Sequence, residues 1–239
     1  MELSGKVILI TGGSKGLGYE LTKLLLHKNA IVWSISRTPA NIYHDNFNEI
    51  LYDLELLTKN QVPNTIKCLL HMQFDILINN VGYNPGHTLF KNTSILNINT
   101  CLAINIYTHI FFTRHIKFKK VIFVGSILGV VTLQENIMYC ASKHFLNSFH
   151  EGLRREGIDT YIIYPGKINT DLFHEMQDFL CSDKQDIGCK IIQDIKNNRT
   201  YRYVPAIFRL LPIFTAIIPT FIVDYVLQYF YSKYGKKKH

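Results

Sequence analysis

Three polar side chains have the types and spacing that proton transfer to a carbonyl oxygen requires. Tyr139 and Lys143 stand four positions apart, so a helix would place them on one face. A neighbouring ammonium lowers the pKa of a phenol, and Tyr139 could then donate a proton to a ketone oxygen or take one back in the reverse reaction. Ser126 follows an apolar run and could hold the same oxygen through a second hydrogen bond. Taken singly, such residues are more often a packed ring, a solvated amine and a turn serine.

A glycine-rich segment near the amino terminus has the form of an anion-binding turn. Its residues are Thr11, Gly12, Gly13, Ser14, Lys15, Gly16, Leu17 and Gly18. Glycines let the backbone approach a pyrophosphate, and the amino terminus of the following helix offers unpaired N–H groups and a positive dipole end. A tight strand-to-helix turn without a ligand is the alternative. The position directly after the first apolar run favours a dinucleotide site.

The second predicted strand ends in residues that favour a phosphorylated ribose. Dinucleotide sites for NAD have an acid here, which binds the ribose 2′-hydroxyl. This chain has Ser36 and then Arg37. Arg37 could meet a 2′-phosphate in a charge-assisted fork, and Lys15 could add a second charge. The sequence therefore favours NADPH over NADH, although solvated basic residues in loops are common.

Apolar runs of strand length alternate with helical patterns along most of the chain. The predicted strands are Lys6–Thr11, Ala30–Ser36, Glu49–Asp53, Asp75–Asn79, Val121–Gly125, Thr160–Tyr164 and Tyr201–Val204, and the predicted helices are Leu17–Lys28, Thr100–Ile116 and Met138–Glu156. This alternation is typical of βαβ units. We expect an α/β fold, a Rossmann-like doubly wound parallel sheet with helices on both faces. Only 15 residues separate Arg37 from Asp53, so the helix between them should be short.

The combination of these segments resembles the short-chain dehydrogenase/reductase family. The glycine turn, the Asn79-Asn80-Val81-Gly82 segment, Ser126 and the Tyr139-Cys140-Ala141-Ser142-Lys143 segment occur in the family's order, over residues 1 to about 172. The catalytic residues that the resemblance implies are Tyr139, Lys143, Ser126 and Asn105. It also implies that Lys143 binds the nicotinamide ribose and that Asn105 helps to place a water that relays protons.

The cofactor implied by the residues and the resemblance is NADPH or NADP⁺. The positions assigned to it are Thr11, Gly12, Ser14, Lys15, Gly16, Leu17, Gly18, Arg37, Asp53, Asn80, Gly82, Tyr139, Lys143, Pro165, Gly166 and Thr170. Asp53 would lie near the adenine ring, and an acid that caps the next helix is the alternative. A homodimer through the helices that carry Asn105 and Tyr139 is expected from the resemblance.

The composition argues against several other classes of protein. The 239 residues are 47% hydrophobic and 18% charged, which fits one large folded domain. Half of the net charge of +8 lies from Arg209 onward, so no nucleic-acid-binding face is expected. The five cysteines form no CxxC pair, and neither a disulfide framework nor a metal site is predicted. The amino terminus has no signal-peptide pattern.

Residues 204–239 differ in character from the dehydrogenase-like domain at 1–203. Their longest uncharged run, Leu210–Val223, has 14 residues and two prolines, fewer than the ~20 that a spanning helix needs. We expect an apolar, helical, membrane-associating extension, with the terminal lysines near anionic headgroups. A packed lid or an oligomer interface is the alternative. The ending Lys236-Lys237-Lys238-His239 resembles a dilysine retrieval signal, which predicts the endoplasmic reticulum membrane with the catalytic domain facing the cytosol.

These features together predict an NADPH-dependent reductase of a long-chain lipid ketone. The glycine turn, the Tyr164-Pro165-Gly166 segment and the lysine-rich end are similar to 3-ketodihydrosphingosine reductases. The run from Gly125 to Val131 is similar to acyl-dihydroxyacetone-phosphate reductases instead. A steroid or retinoid dehydrogenase is a third alternative. A non-catalytic NADPH-binding sensor or scaffold is the alternative from another class, and intact Asn105, Ser126, Tyr139 and Lys143 argue against it.

Overall fold

A parallel sheet of seven strands forms the centre of the residues that the computed structural model describes, which are 2–59, 62–169, 172 and 181–234. The strands are β1 (Val7–Thr11), β2 (Ile31–Ser36), β3 (Phe47–Leu51), β4 (Gln73–Asn79), β5 (Lys117–Val124), β6 (Thr160–Pro165) and β7 (Tyr201–Val204). Their order across the sheet is β3-β2-β1-β4-β5-β6-β7, and all neighbouring pairs are parallel. The predicted α/β fold is confirmed.

The helices of the described residues are α1 (Gly16–His27), α2 (Asn64–Leu69), α3 (Ile95–Leu102), α4 (Thr108–His115), α5 (Ile137–Arg155), α6 (Lys184–Lys196), α7 (Leu211–Ile217) and α8 (Thr220–Tyr234). Helices α1–α6 lie between these strands in the sequence, and α7 and α8 follow the last strand. A π-helical turn, Ala103–Tyr107, joins α3 to α4. Short 3₁₀ turns lie at Leu54–Lys59, Phe90–Asn92, Ile127–Gly129 and Ala206–Leu210.

Alternating side chains of the strands pack against helices on both faces of the sheet. On one face, Ile8 of β1 belongs to a buried cluster with Leu21 of α1 and Ile191 of α6. On the other face, Leu9 belongs to a second cluster, to which α2, α4 and α5 contribute and which includes Phe112. Because successive strand residues point to opposite faces, the unbroken apolar runs of the sequence supply both cores at once.

The structure differs from the sequence prediction in the first half of the chain. Helix α3 begins at Ile95, five residues before the predicted start, because the Ser94 hydroxyl accepts the N–H of Asn97 (3.2 Å) and so caps the helix. The sequence predicts a short helix between β2 and β3, but residues 37–46, which connect these strands, form no helix. Strand β3 ends at Leu51, and Asp53 lies in the loop beyond it.

The strand order creates a crevice at one edge of the sheet. The chain proceeds from β1 outward to β3 and then returns to β4, which pairs with the other side of β1. The loops after β1 and β4 therefore diverge, and ligands of doubly wound sheets bind at such a switch point. The glycine turn follows β1, and Asn80 follows β4.

The carboxyl-terminal segment is helical as far as Tyr234, and residues 235–239, with three of the basic side chains, lie outside the described part. Within the described ranges, one continuous helical stretch, Ile95–His115, is long and apolar enough to cross a membrane. It consists of α3, the π-helical turn and α4, and 44% of its most apolar 18 residues are buried inside the protein. Packing on the sheet accounts for that burial. The apolar segment Ala206–Ile217 is shorter.

Candidate active site

A cleft of about 910 Å³ lies at the carboxyl edge of the sheet. The predicted site residues that line it are Gly12, Ser14, Lys15, Gly16, Leu17, Gly18, Arg37, Asp53, Asn80, Gly82, Ser126, Tyr139, Lys143, Pro165 and Gly166. Two others, Thr11 and Asn105, are fully buried and support the cleft from below. Thr170 lies outside the described residues. One crevice therefore joins the glycine turn to the predicted proton-transfer residues.

The glycine turn is too tight to hold side chains at its key positions. Gly12 and Gly16 have φ angles of +72° and +56°, which only glycine adopts without strain. A Cβ atom on Gly18 would stand 2.1 Å from the Gly12 carbonyl oxygen, and one on Gly13 would stand 2.5 Å from the Ser34 hydroxyl. Because α1 begins at Gly16, its first N–H groups lie at the cleft, where they can hold a diphosphate.

Thr11 and Asn80 hold the loops after β1 and β4 together. The Thr11 hydroxyl accepts the N–H groups of Asn80 (3.1 Å) and Val81 (3.2 Å). The Asn80 side-chain amide donates in return to the carbonyl oxygens of Thr11 and Gly12, both at 3.0 Å. Thr11 therefore positions the cleft without lining it, while Asn80 does both.

Positive charge gathers at the end of the cleft that adjoins β2. Arg37 and Lys15 line this end, and the hydroxyls of Ser14 and Thr38 are 3.2 Å apart, which joins the glycine turn to the loop after β2. Asp53 also lines the cleft, and its carboxylate accepts the N–H of Glu55 at 3.1 Å. The position of Asp53 is thus compatible both with a site near the adenine ring and with a cap of the helical turn that follows it.

Ser126, Tyr139 and Lys143 converge on the far wall of the cleft. Ser126 follows β5, and its hydroxyl accepts the N–H of Leu128 (3.1 Å). Tyr139, which is only 3% exposed, shares a hydrogen bond with Ser126. Lys143 lies one turn further along α5, with its Nζ 5.5 Å from the centre of the Tyr139 ring. The three side chains thus surround one point at the end of β5.

The electrostatics of this wall differ from the sequence prediction. Burial raises the pKa of Tyr139, and the hydrogen bond with Ser126 opposes that rise. We expected Lys143 to lower this pKa, but its amine donates to the Val124 carbonyl (2.9 Å), and burial lowers the pKa of Lys143 itself to about 8. Lys143 is therefore a weaker source of positive charge than an exposed lysine, and the Tyr139 phenol is protonated at neutral pH.

Asn105 lies in the π-helical turn between α3 and α4 and fixes the loop after β4. Its Oδ1 accepts the N–H of Tyr83 (2.7 Å), and its Nδ2 donates to the Tyr83 carbonyl (2.8 Å) and to the Ser142 hydroxyl (2.9 Å). Ser142 precedes Lys143 on α5. Asn105 therefore joins the β4 loop to the helix that carries Tyr139, and π-helical turns are frequent at functional sites.

Further residues that the sequence did not assign to the site also line the cleft, among them Thr38, Tyr83, Lys167 and Lys184. The first three directly follow assigned residues, and that adjacency is the signal that could have identified them. Lys184 begins α6, more than 160 residues from the glycine turn that it approaches. Its Nζ is 3.8 Å from Glu20 of α1, and nothing local in the sequence predicts that proximity.

His109 is buried one helical turn after Asn105. Its ring meets the Phe123 ring edge-on, with centroids 6.5 Å apart, and within the described ranges neither ring nitrogen has a partner at hydrogen-bond geometry. Burial, followed by the charge of Lys143, lowers the pKa of His109 to about 3, against an opposing effect of the Val81 backbone. The imidazole is therefore neutral at pH 7.

We expect acid to destabilise the fold through His109. A histidine with a folded pKa below its unfolded value of ~6.5 contributes stability that is complete above pH 6.5 and is lost as the pH falls toward the folded pKa. Between pH 7.5 and pH 5, the free energy of unfolding should fall by about 2 kcal/mol through this residue. Urea titrations of the wild type, His109→Leu and the exposed control His71→Leu measure it. A pH-dependent loss that is the same in all three proteins would contradict the assignment.

Comparison with known proteins identifies the class to which this site belongs. The family model described as short chain dehydrogenase matches residues 6–180. The chain therefore belongs to the short-chain dehydrogenase family.

Among curated proteins, the chain is similar to the 11-beta-hydroxysteroid dehydrogenase-like 2 protein of Arabidopsis thaliana, with 28% identity over 98% of this chain and 84% of that protein. It is also similar to the NADPH-dependent 1-acyldihydroxyacetone phosphate reductase of Saccharomyces cerevisiae, with 28% identity over 63% of this chain and 56% of that one. The chain spans only 58% of another similar yeast protein, the uncharacterized oxidoreductase TDA5.

Among solved structures, the chain is similar to a short chain dehydrogenase from Burkholderia cenocepacia that was crystallised with NADP. The TM-score is 0.79 at 20% identity, and the match covers 91% of this chain and 95% of that one. At this identity the likeness supports the fold alone.

Proposed function

We propose that the protein reduces a ketone on a long-chain lipid, with NADPH as the hydride donor. The observation that carries this proposal is the position of Ser126, Tyr139 and Lys143 on the wall of the same cleft that the glycine turn closes. Each of these groups is common alone. Their convergence at the end of β5, beside a backbone cradle for a diphosphate, suits hydride and proton transfer to one carbonyl group.

The cleft fits a phosphorylated nicotinamide dinucleotide at two points. The glycine turn leaves no space for a side chain at Gly13 or Gly18, so that backbone N–H groups can approach a diphosphate. Arg37 and Lys15 stand where a ribose 2′-phosphate would need positive charge. When bound, the nicotinamide supplies the hydride, and the protein supplies geometry and the proton.

The residues of the far wall can deliver that proton. Because burial raises the pKa of Tyr139, the phenol is protonated at neutral pH and suits a donor to a ketone oxygen. Ser126 would donate a second hydrogen bond to the same oxygen and stabilise its developing charge. Lys143, with a pKa of about 8, would stabilise the phenolate that remains. Asn105 acts as a positioning residue through Tyr83 and Ser142.

Replacing Arg37 tests the cofactor preference. We expect Arg37→Ala to weaken NADPH binding by about tenfold or more, because a charge-assisted fork to a phosphate is worth roughly 1.5–3 kcal/mol, and to leave NADH binding nearly unchanged. Fluorescence titration with both dinucleotides measures the two dissociation constants. Arg114→Ala removes an arginine that does not line the cleft and serves as the control. Equal losses for both dinucleotides in Arg37→Ala would contradict the proposal.

The carboxyl-terminal segment is the basis for proposing a lipid substrate. Residues 204–239 are assigned as a membrane-associating extension of the catalytic domain at 1–203, at the cytosolic face of the endoplasmic reticulum membrane. Many of its large apolar side chains are exposed, among them Ile213, Ile217 and Phe221. The Lys236-Lys237-Lys238 sequence fits anionic headgroups.

A sphingoid ketone of the 3-ketodihydrosphingosine type is the preferred substrate. Acyl-dihydroxyacetone phosphate is the second candidate, and the yeast relative of that specificity favours it. A steroid is the third, because of the Arabidopsis relative. We also propose a homodimer, for which the exposed apolar side chains of Ile95 and Leu96 on α3 and Ile137 on α5 provide a surface.

A substrate panel tests this function. The full chain, with NADPH, is offered a sphingoid ketone, acyl-dihydroxyacetone phosphate, a 3-ketoacyl thioester and a steroid ketone, and the loss of NADPH absorbance is followed. We expect the fastest oxidation with the sphingoid ketone. Saturable NADPH binding without oxidation on any ketone would indicate a sensor or scaffold instead.

A further inference from the structure

Helix α8 carries one apolar stripe that packs against the protein. Val223, Leu227 and Tyr231 are spaced by four residues, which places them on one face of the helix. Val223 and Tyr231 are buried, and Leu227 is half-buried. We call this stripe the inner face of α8. Its spacing is that of a surface helix lying on a globular core.

The inner face packs beside the catalytic tyrosine. Leu227 of α8 and Leu211 of α7 pack against a buried cluster that contains Tyr139, Leu128 and Val131. The Tyr231 hydroxyl donates to the Glu135 carboxylate (2.7 Å), two residues before α5 begins. The hairpin of α7 and α8 therefore packs against the wall of the cleft that contains Tyr139.

The same segment also approaches the opposite side of the cleft. A Cβ atom on Gly166 would stand 2.8 Å from a ring carbon of Phe208, and Gly166 lines the cleft after β6. The carboxyl-terminal segment thus makes two contacts near the cleft. Phe208 contacts the loop after β6, and Leu227 packs against the cluster that contains Tyr139.

A second apolar stripe on α8 faces away from the protein. Phe221 and Tyr225, four residues apart, are each 72% exposed. Ile213 and Ile217 of α7 are exposed as well. We call these four residues the outer face. A helix that is apolar on both sides has to bury both, so the outer face needs a partner.

Charge and length indicate an anionic lipid surface as that partner. Arg209 precedes the hairpin, and Lys233, Lys236, Lys237 and Lys238 follow the outer face in the sequence, against a single acid, Asp224. The 15 described residues of α8 span about 22 Å, less than a ~30 Å hydrocarbon core. Phenylalanine and tyrosine on one face with a basic end are typical of helices that lie in the plane of an interface.

We infer that the α7–α8 hairpin is a membrane-docking surface that also packs against the wall of the catalytic cleft formed by Tyr139. Its outer face lies in an anionic bilayer, its inner face borders Tyr139, and a lipid ketone passes along the hairpin from the bilayer to the cleft. The passage of substrate rests on the proposed function, and the docking surface specifies which residues would carry the membrane association proposed there for residues 204–239. The hairpin therefore unites the roles of anchor and lid that the sequence left as alternatives.

The test uses the full chain, the double variant Phe221→Glu with Tyr225→Glu, and vesicles of phosphatidylcholine and phosphatidylserine. We expect the wild type to sediment with the vesicles and the variant's affinity to fall by roughly a hundredfold, about tenfold for each aromatic side chain that no longer enters the bilayer. Turnover of a small water-soluble ketone should be unchanged, while turnover of the vesicle-borne lipid ketone should fall. Tyr43→Glu, at a position that is 97% exposed and remote in sequence from the hairpin, is the control and should bind vesicles as the wild type does.

The inner face has its own variant. Leu227→Ala should keep vesicle affinity and raise the KM for the lipid ketone more than it lowers kcat, because it alters the wall and leaves Tyr139 in place. A change in folding alone would alter the circular dichroism spectrum. It would not raise the KM for the lipid ketone more than it lowers kcat.

The outcomes separate the two proposals. Vesicle binding by the wild type that the outer-face variant loses, without turnover of any ketone, would support docking and overturn the proposed function. Equal vesicle binding by the wild type and the outer-face variant would overturn the docking surface. A wild-type dimer that becomes monomeric in that variant, on sedimentation without lipid, would also overturn it, because a second copy would then be the partner.

Discussion

Tyr139→Phe is expected to reduce turnover by about a hundredfold to ten-thousandfold, the range typical of a positioned general acid. The substitution removes only the phenol oxygen, so the ring still fills the cluster with Leu128 and Val131. NADPH binding should be retained, because the glycine turn and Arg37 are unchanged. Steady-state rates and fluorescence titration of NADPH measure the two properties separately.

The control for this variant is Tyr164→Phe. Tyr164 is a buried tyrosine of β6 whose ring stacks on Tyr203, with centroids 4.5 Å apart, and it does not line the cleft. It should retain wild-type turnover. Turnover by Tyr139→Phe that equals that of the control would overthrow the assignment of Tyr139 as the proton donor.

Gly18→Ala is expected to abolish most cofactor binding. Its Cβ atom would stand 2.1 Å from the Gly12 carbonyl oxygen, so the turn must move by about 1 Å, a displacement that can cost a hundredfold in a positioned site. We therefore expect NADPH affinity to fall by about that factor and turnover to fall with it. Isothermal titration with NADPH measures the affinity.

The matched variant is Gly152→Ala. Gly152 lies within α5, and a Cβ atom there meets nothing within 4 Å. This substitution should leave NADPH affinity unchanged and raise thermal stability slightly, because alanine favours a helix over glycine by roughly 1 kcal/mol. Wild-type NADPH affinity in Gly18→Ala would mean that the cofactor does not bind at the glycine turn.

Much of the fold and of the cleft is predictable because it depends on local patterns. The strands of the parallel sheet are apolar runs that need only be buried, and β2, β6 and β7 occur within one residue of their predicted limits. The glycine turn is readable because a tight turn restricts residue type. Since strand ends of a parallel sheet meet at one edge, residues placed after those strands, such as Ser126 and Arg37, come together in the cleft.

What the sequence did not disclose depends on contacts between distant segments. The sequence predicts that Lys143 lowers the pKa of Tyr139, yet its amine donates to the Val124 carbonyl, 19 residues earlier in the chain. The residue pattern around Asn105 predicts a continuous helix and does not predict the π-helical turn. The sequence does not predict which face of α8 is buried, because apolar side chains occur all around this helix. Only the packing in the structure distinguishes Leu227, which contacts the protein, from Tyr225, which is exposed.

Transfer of deuterium tests the central claim most directly. NADPH that carries deuterium in place of both hydrogens at the reactive carbon of the nicotinamide is incubated with the full chain and vesicles that contain the sphingoid ketone, and the lipid alcohol is analysed by mass spectrometry. We expect one deuterium on the new carbinol carbon for each NADPH consumed, and almost none with Tyr139→Phe. Tight NADPH binding with no labelled alcohol from any ketone of the panel would show that the cleft holds a dinucleotide without performing the reduction.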